Sequence, residues 1–349
     1  MSKSRKNNSG SVRIALIILC VVLALILVVM TGLGVYVTYL YRQMEYVEQE
    51  ATLSPEDAQN IAIQDAESID PDSTDNIIDE NDIIFNNGDL NHIGQGEHIV
   101  NIMMVGQDAR EGESVQRSDT MILVTFNTEK KTITLTSLMR DQYVEIPGFG
   151  RTKLNHAYQY GGMSLMNETL YNHYGIEVDG NFEVDFTGFE KIIDLLGGVE
   201  LNLTAKEAKY LRGKGFRYVK EGVNVLPGES ALWYARLRSI DTDYARAERQ
   251  RNVMMSLFEA YKEQSYTQML SLLHEILPLL RTNMTMSEIT GYALELYPMI
   301  SGAEVKTLRL PADGTFEGGY VKVSEGLKLW CQYNIDFEAN RKLLEEVFE

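Results

Sequence analysis

Apolar and polar positions divide the chain into three regimes. From Ile14 to Tyr41 no charged residue occurs, a run longer than the ~20 residues a helix needs to cross a bilayer. From Arg42 to about Glu97 acids accumulate and no long apolar period forms. From about His98 onward, short apolar runs alternate with longer amphipathic ones. Within this last regime three apolar runs stand together between Asn101 and Asp141: NIMMVGQDAR, a short polar gap, QRSDTMILVTFN, then KKTITLTSLMRD. These three runs are nearly unbroken and rich in Ile, Val, Leu, Met and Thr, as strands buried on both faces are. Further strands are predicted at Phe182–Phe186, Val199–Leu203 and Val305–Leu310, the last stopped by Pro311, with a short edge piece at Tyr143–Ile146.

Helices fill the intervals. GGMSLMNETLYNHYG predicts an amphipathic helix ending at Gly175, with Lys153–Leu154–Asn155 in the loop before it. FTGFEKIIDLLGG carries an apolar stripe at Phe189, Ile192, Ile193 and Leu196, with Gly197 as cap. The Gly-rich, basic stretch Arg212–Lys220 reads as a mobile loop, and Pro227 then opens a helix over GESALWYA. From about Arg236 an extended segment is expected, which would turn Arg236 and Arg238 to one side. A helix follows from about Tyr244 to Gln264, then helices around Met269–Leu280, Met286–Tyr297 and Phe337–Phe348. Strands alternating with helices indicate an α/β layer fold.

Charge sharpens the N-terminal reading. Lys3, Arg5, Lys6 and Arg13 precede the apolar run, and Tyr36, Tyr39 and Tyr41 cluster at its exit, so it reads as a transmembrane helix with a cytoplasmic N-terminus. Between Arg42 and Arg110 there is no Lys or Arg. Most of the formal net charge of −18 resides there, and that composition predicts a mobile spacer with at most a short helix from Ser54–Pro55–Glu56 to Ile63. The expected organisation is a cytoplasmic tail (1–13), a membrane span (14–41), an acidic stalk (42–97), a domain core (98–265) and a C-terminal completion (266–349). The acidity argues against nucleic acid as a partner. With only Cys20 and Cys331 present, no disulfide is possible within the outer domain.

The chemistry gathers at predicted strand ends. Asp108 and Asp119, with Arg117 beside them and Arg140 at the end of the third run, form a seat for a metal and an anion. Arg246, Arg249 and Gln250 stand at i, i+3 and i+4 of a helix, one face. Arginines in a first turn oppose the helix dipole, and an anion bound there reverses the sign. The plainer alternatives are solvated turn residues for the acids, surface arginines for Arg236 and Arg238, and an N-cap for Asp243.

GQDAR, QRSDT, SLMRD, RTKLNHAYQYGG, VDFTGFEKIIDLLGGVEL, LPGESALWYARLR and DTDYARAERQRNVM occur in this order between Ile99 and Tyr261. Together they resemble the LytR–CpsA–Psr family of bacterial envelope ligases. Ala245 stands where that family often has glycine, and Gln107 where a small residue is common. The resemblance implies a layered α-β-α fold with a central mixed sheet. It also implies transfer of a glycopolymer, of teichoic acid or capsule type, from a polyprenyl pyrophosphate or phosphate carrier to peptidoglycan at a Gram-positive cell membrane. On that reading Asp108 and Asp119 hold Mg2+, or Mn2+ in its place. Arg117, Arg140, Lys153, Arg236, Arg238, Arg246, Arg249 and Gln250 bind the pyrophosphate. Asp241 or Asp243 takes the acceptor proton, with Arg236 and Arg238 in the catalytic set. A non-catalytic polyprenyl-phosphate-binding regulator and a lipid pyrophosphatase remain as alternatives.

Overall fold

The apolar runs between Ile99 and Leu138 pair as antiparallel neighbours in the middle of a seven-stranded sheet. The structure, a computed structural model, describes residues 35–36, 38–47, 52–69, 76–85, 96–108, 117–237, 240, 243–262, 264, 266–300 and 302–349. The chain divides into two units, Met1–Met44 and Glu45–Glu349. In the first, residues 35–36 and 38–41 are helical. The span expected over 14–41 lies largely outside the described residues, among which no helix is long and apolar enough to cross a membrane.

The second unit opens with β1 (Glu45–Tyr46), α1 (Pro55–Asp65), β2 (Glu67–Ser68) and β3 (Ile77–Asp79). Then come β4 (Ile99–Asp108), β5 (Arg117–Asn127), β6 (Thr132–Leu138), β7 (Tyr143–Ile146), β8 (Gly150–Lys153) and α2 (Leu154–Tyr174). Next are β9 (Gly180–Asp185), α3 (Phe186–Leu195), β10 (Val199–Leu203), α4 (Ala205–Gly213), β11 (Gly222–Leu226), α5 (Gly228–Ala235) and α6 (Asp243–Lys262). The chain closes with α7 (Tyr266–Ile276), β12 (Arg281–Thr282), α8 (Met286–Ile300), β13 (Glu304–Leu310), β14 (Glu317–Ser324), β15 (Leu327–Tyr333) and α9 (Phe337–Phe348). The large sheet has the order β1-β12-β9-β4-β5-β6-β13 and is mixed, with β9 parallel to β4 and β13 parallel to β6.

Alternation along the central strands fills both faces. Met103, Val105, Met121 and Leu123 enter a core with Tyr160, Met166 and Leu170 of α2 and Leu344 of α9. Ile102, Ile122, Val124 and Leu135 face the other way, towards Met254 and Phe258 of α6 and Leu296 and Met299 of α8. A third core joins Ile193 of α3, Leu201, Leu226, Ala231 of α5 and Val253 of α6.

Several elements differ from expectation for identifiable reasons. The acidic stretch is not wholly a spacer. Ser54 caps α1, Ala58 is buried with Leu53 and Ile61 packed beside it, and β2 and β3 flank the β14–β15 hairpin as a four-stranded sheet. Composition averages hide so few apolar contacts. Lys153 ends β8 and precedes a helix that already begins at Leu154, so it is not in an open loop. Gly162, at φ 63°, kinks α2 where the sequence pattern places a helix start. That helix is buried on most sides instead of amphipathic, because α9 and β7 pack against it opposite the sheet. The segment Arg212–Lys220 forms a bonded turn in place of a free loop, with Arg212 Nη1 donating to the Val219 carbonyl (3.0 Å). Arg236 adopts a right-handed helical conformation at the end of α5, bonded to the Leu232 carbonyl, and is not extended.

Candidate functional site

The described chemistry centres on a cavity of about 290 Å³ between the sheet and the helices α3, α5 and α6. Its walls are apolar: Met104 and Ile122 from the sheet, Val184, Phe186 and Phe189 around the start of α3, Leu232 from α5 and Met254 from α6. Gly106 lines it as well, and a Cβ there would come within 3.1 Å of the Thr120 Cβ, so the close approach of β4 and β5 favours glycine. Arg236, Arg246, Gln250, Asp185 and Thr120 supply the polar side chains.

Each of these is placed by its own element. Asp185 Oδ1 accepts from the Gly188 amide (2.6 Å), so this carboxylate both caps α3 and lines the cavity. The Arg236 guanidinium carbon sits 4.0 Å over the centre of the Phe186 ring, a cation–π contact that aims an otherwise exposed side chain. Arg246 and Gln250, one helical turn apart on α6, face the same space, and Arg246 is buried. Asp185 and Phe186 were not expected here; the only local signal was an acid directly before a helix.

Arg249 diverges from its neighbours. Its Nε donates to Glu207 Oε1 (2.7 Å) and its Nη1 to the Leu237 carbonyl (2.7 Å), both buried. This pair tethers the chain one residue before Arg238, on the side of α6 away from the cavity. Arg140 and Lys153 also find a partner of their own. Both meet the buried Asp141, Arg140 Nε at 3.3 Å and Lys153 Nζ at 2.9 Å.

Two further arginines, Arg251 and Arg309, join this end of the sheet. Parallel pairing sets Arg309 opposite Ser137, and Arg251 Nη1 donates to Ser137 Oγ (2.9 Å). Burial holds the Arg251 pKa below its ordinary value, opposed by Glu248 and reinforced by Arg309. Arg309 pairs with Asp313 and lies 4.4 Å over the Tyr244 ring at the start of α6. Arg251 was legible only as part of an arginine-rich string, and Arg309 only through a strand pairing distant in sequence.

The acids expected to hold metal sit on neighbouring strands. Asp108 ends β4 opposite Arg117. Gly106 pairs with Thr120 and Gln107 with Ser118, which leaves Asp119 as an extra residue on β5. Such bulges re-aim side chains and occur beside functional sites. The strand end is braced below, where Gln107 Nε2 donates to Tyr158 Oη and Glu183 Oε2, and Glu183 also accepts from Arg281 Nη1 (2.7 Å). The side chains of Asp108, Arg117, Asp119 and Asp243, and the whole of Arg238 and Asp241, lie outside the described residues.

The chain has counterparts among known proteins. The sequence matches the LytR_cpsA_psr family over residues 58–332, and the chain belongs to that family. It is 35% identical over 225 residues to the polyisoprenyl-teichoic acid–peptidoglycan teichoic acid transferase TagT of Bacillus subtilis (strain 168), covering 62% of this chain and 68% of that one. It is 32% identical over 254 residues to the regulatory protein MsrR of Staphylococcus aureus (strain COL), covering 71% and 75%. Among solved structures, the LytR-CPS2A-psr family protein YwtF (TagT) with bound octaprenyl pyrophosphate lipid superposes with a TM-score of 0.54 at 26% identity, over 72% of this chain and 90% of that one.

Proposed function

We propose that this chain moves a phosphate-linked glycopolymer from a polyprenyl pyrophosphate or phosphate carrier to peptidoglycan, at the outer face of a membrane that Ile14–Tyr41 crosses once. The observation that carries this is the cavity with apolar walls and Arg236, Arg246 and Gln250 among its lining. A prenyl chain suits the walls, and guanidinium groups, charged at any working pH, seek phosphate oxygens. The TagT relative is named for such a transfer, and the solved TagT structure holds such a lipid.

In the proposed reaction an acceptor hydroxyl oxygen bonds to the phosphorus nearest the glycopolymer, and the bond from that phosphorus to the carrier oxygen breaks. From a pyrophosphate-linked donor the carrier leaves as the prenyl phosphate, from a monophosphate-linked one as the prenol, and Asp241 or Asp243 takes the hydroxyl proton. Arg236 and Arg246 neutralise charge that spreads over the phosphoryl oxygens, which is most of what such transfers demand of a protein. Arg117, Arg140, Arg238 and Lys153 extend the cationic surround. Arg249 acts through its tether on Leu237. Strand register brings Asp108 and Asp119 to one end of the β4–β5 pair, and their hard oxygen donors suit Mg2+ or Mn2+. When bound, such a cation supplies further positive charge to the phosphates.

Incubating the full-length protein with labelled lipid-linked polymer and peptidoglycan fragments tests this. Label on the glycan strands is the expected product. Free polymer would instead make the chain a lipid pyrophosphatase. No product with retained lipid would make it a binding regulator, the reading that the name of MsrR favours.

A further inference from the structure

A second hollow, of about 580 Å³, opens on the opposite side of α6. Ala245, Glu248, Arg249 and Asn252 line it at helical spacing, whereas Arg246, Gln250 and Met254 line the apolar cavity. The preceding helix divides in the same way. Tyr234 faces the second hollow, and Leu232, Ala235 and Arg236 face the first. The two spaces therefore flank α6, and of the described residues that link it to α5, Arg236 lines the first and Ile240 the second.

Their chemistry differs. The inner wall of the second hollow is fixed and internally neutralised. Glu207 Oε1 accepts from Arg249 Nε (2.7 Å), and Oε2 accepts from the Thr204 amide and hydroxyl (2.8 Å each). Burial, with Glu207 nearby, pushes the Tyr234 phenol up to about 12, so it stays neutral. The outer lining is polar and open: the carboxamides of Asn202 and Asn252, the Glu248 carboxylate and Lys206. Cations and carboxylates balance, so an anion gains little there. A molecule dense in hydroxyl groups gains more, because carboxamides donate and accept and a carboxylate accepts from paired hydroxyls.

We propose that this hollow seats a saccharide unit of the acceptor glycan, an inference that rests on the transferase reading above. In an in-line displacement the attacking oxygen approaches phosphorus opposite the leaving group. With the prenyl phosphate leaving into the apolar cavity, the acceptor hydroxyl arrives from the side away from it, and the second hollow lies on the opposite side of α6 from that cavity.

The test uses full-length protein, saturating lipid-linked polymer and increasing concentrations of a peptidoglycan disaccharide fragment, with Asn202→Ala and Asn252→Ala as variants. The KM for the fragment rises roughly tenfold in each, as expected for one lost hydrogen-bonding group. The donor KM, kcat and melting temperature stay unchanged. Asn202 is exposed, so its variant folds even if Asn252, which bonds Tyr234, proves structural. An unchanged fragment KM in both variants, with transfer intact in the wild type, overturns the subsite alone. A raised donor KM places the donor's own sugar there and overturns the acceptor assignment. A wild type that releases only free polymer overturns the transferase reading and the acceptor role together.

Discussion

Arg249 lies beneath the surface between Glu207 and the Leu237 carbonyl, whereas Arg236 lies in the open over Phe186, and the two respond differently to substitution. Glu207→Gln leaves the Arg249 charge buried without its counter-ion, which should cost about 3–5 kcal/mol of stability. Pairing it with Arg249→Met should recover part of that loss, and urea titration of the two singles and the double measures the coupling. Equal stability of wild type and Glu207→Gln would mean the pair is solvated and Arg249 is free to serve phosphate. For Arg236→Lys the expectation reverses. A lysine keeps the charge but loses the planar fork and the stacking on Phe186. Stability should shift by no more than ~0.5 kcal/mol, while transfer falls about 10²-fold or more, the scale of one lost preorganised donor. Wild-type turnover in Arg236→Lys, with melts run alongside, would take this residue out of the phosphate site.

The end of α2 ties three elements together through one imidazole. His173 Nε2–H donates to the Glu145 carbonyl of β7 (2.8 Å), its ring stacks on Phe337 of α9 at 4.9 Å, and Arg341 Nη1 donates to the His173 carbonyl (3.1 Å). Burial holds the His173 pKa below its ordinary value of 6.5, with the Arg341 charge pushing the same way and the Glu145 contacts opposing. The unfolded chain therefore takes up a proton near the ordinary value, and the folded chain only at lower pH. Stability must then fall as pH drops through 6.5 towards the depressed value. His173→Gln should flatten that slope in urea titrations between about pH 7 and 5; an unaltered slope would assign it to other groups. Packing of this kind also marks where sequence reading stops. β4, β5 and β6 were legible as nearly unbroken apolar runs of strand length, and α3 through its apolar stripe. β14 and β15 were not, since EGGYVKVSEG is short and glycine-broken, and β11 shows two exposed valines that only its pairing with β10 explains. Of the arginine-rich string, Arg246 and Gln250 share one cavity lining, as their helical spacing implies. Helical spacing alone could not say that Arg249 turns to Glu207, because that choice depends on α4, whose capping box holds the acid in place.

The acidic N-terminal stretch gives the last expectation, and it concerns how much of the chain the fold requires. Acid content alone would let everything before His98 be removed without loss. The contacts argue otherwise. The Leu53 amide donates to the Tyr160 carbonyl (2.8 Å), Ala58 is buried in the main core, and Asp65 Oδ2 meets the buried His156 Nε2 at 3.1 Å. Further along, Tyr143 Oη donates to Glu80 (3.1 Å) and Ile83 is buried beside Tyr143, while β2 and β3 cover the two edges of the β14–β15 hairpin. Removing residues 1–97 would expose several apolar side chains, each worth about 1.5–3 kcal/mol if fully uncovered, and leave two bare strand edges that invite association. Removing only residues 1–51 takes away β1, a two-residue edge strand on β12 with a few backbone bonds, and the open Glu45–Arg281 pair, itself worth at most ~1 kcal/mol. A chain beginning at Thr52 should therefore melt within a few degrees of one beginning at Arg42. A chain beginning at His98 should melt well below both and scatter light on standing. Calorimetry of the three chains decides the matter: matching melting temperatures would return the acidic stretch to the role of a tether.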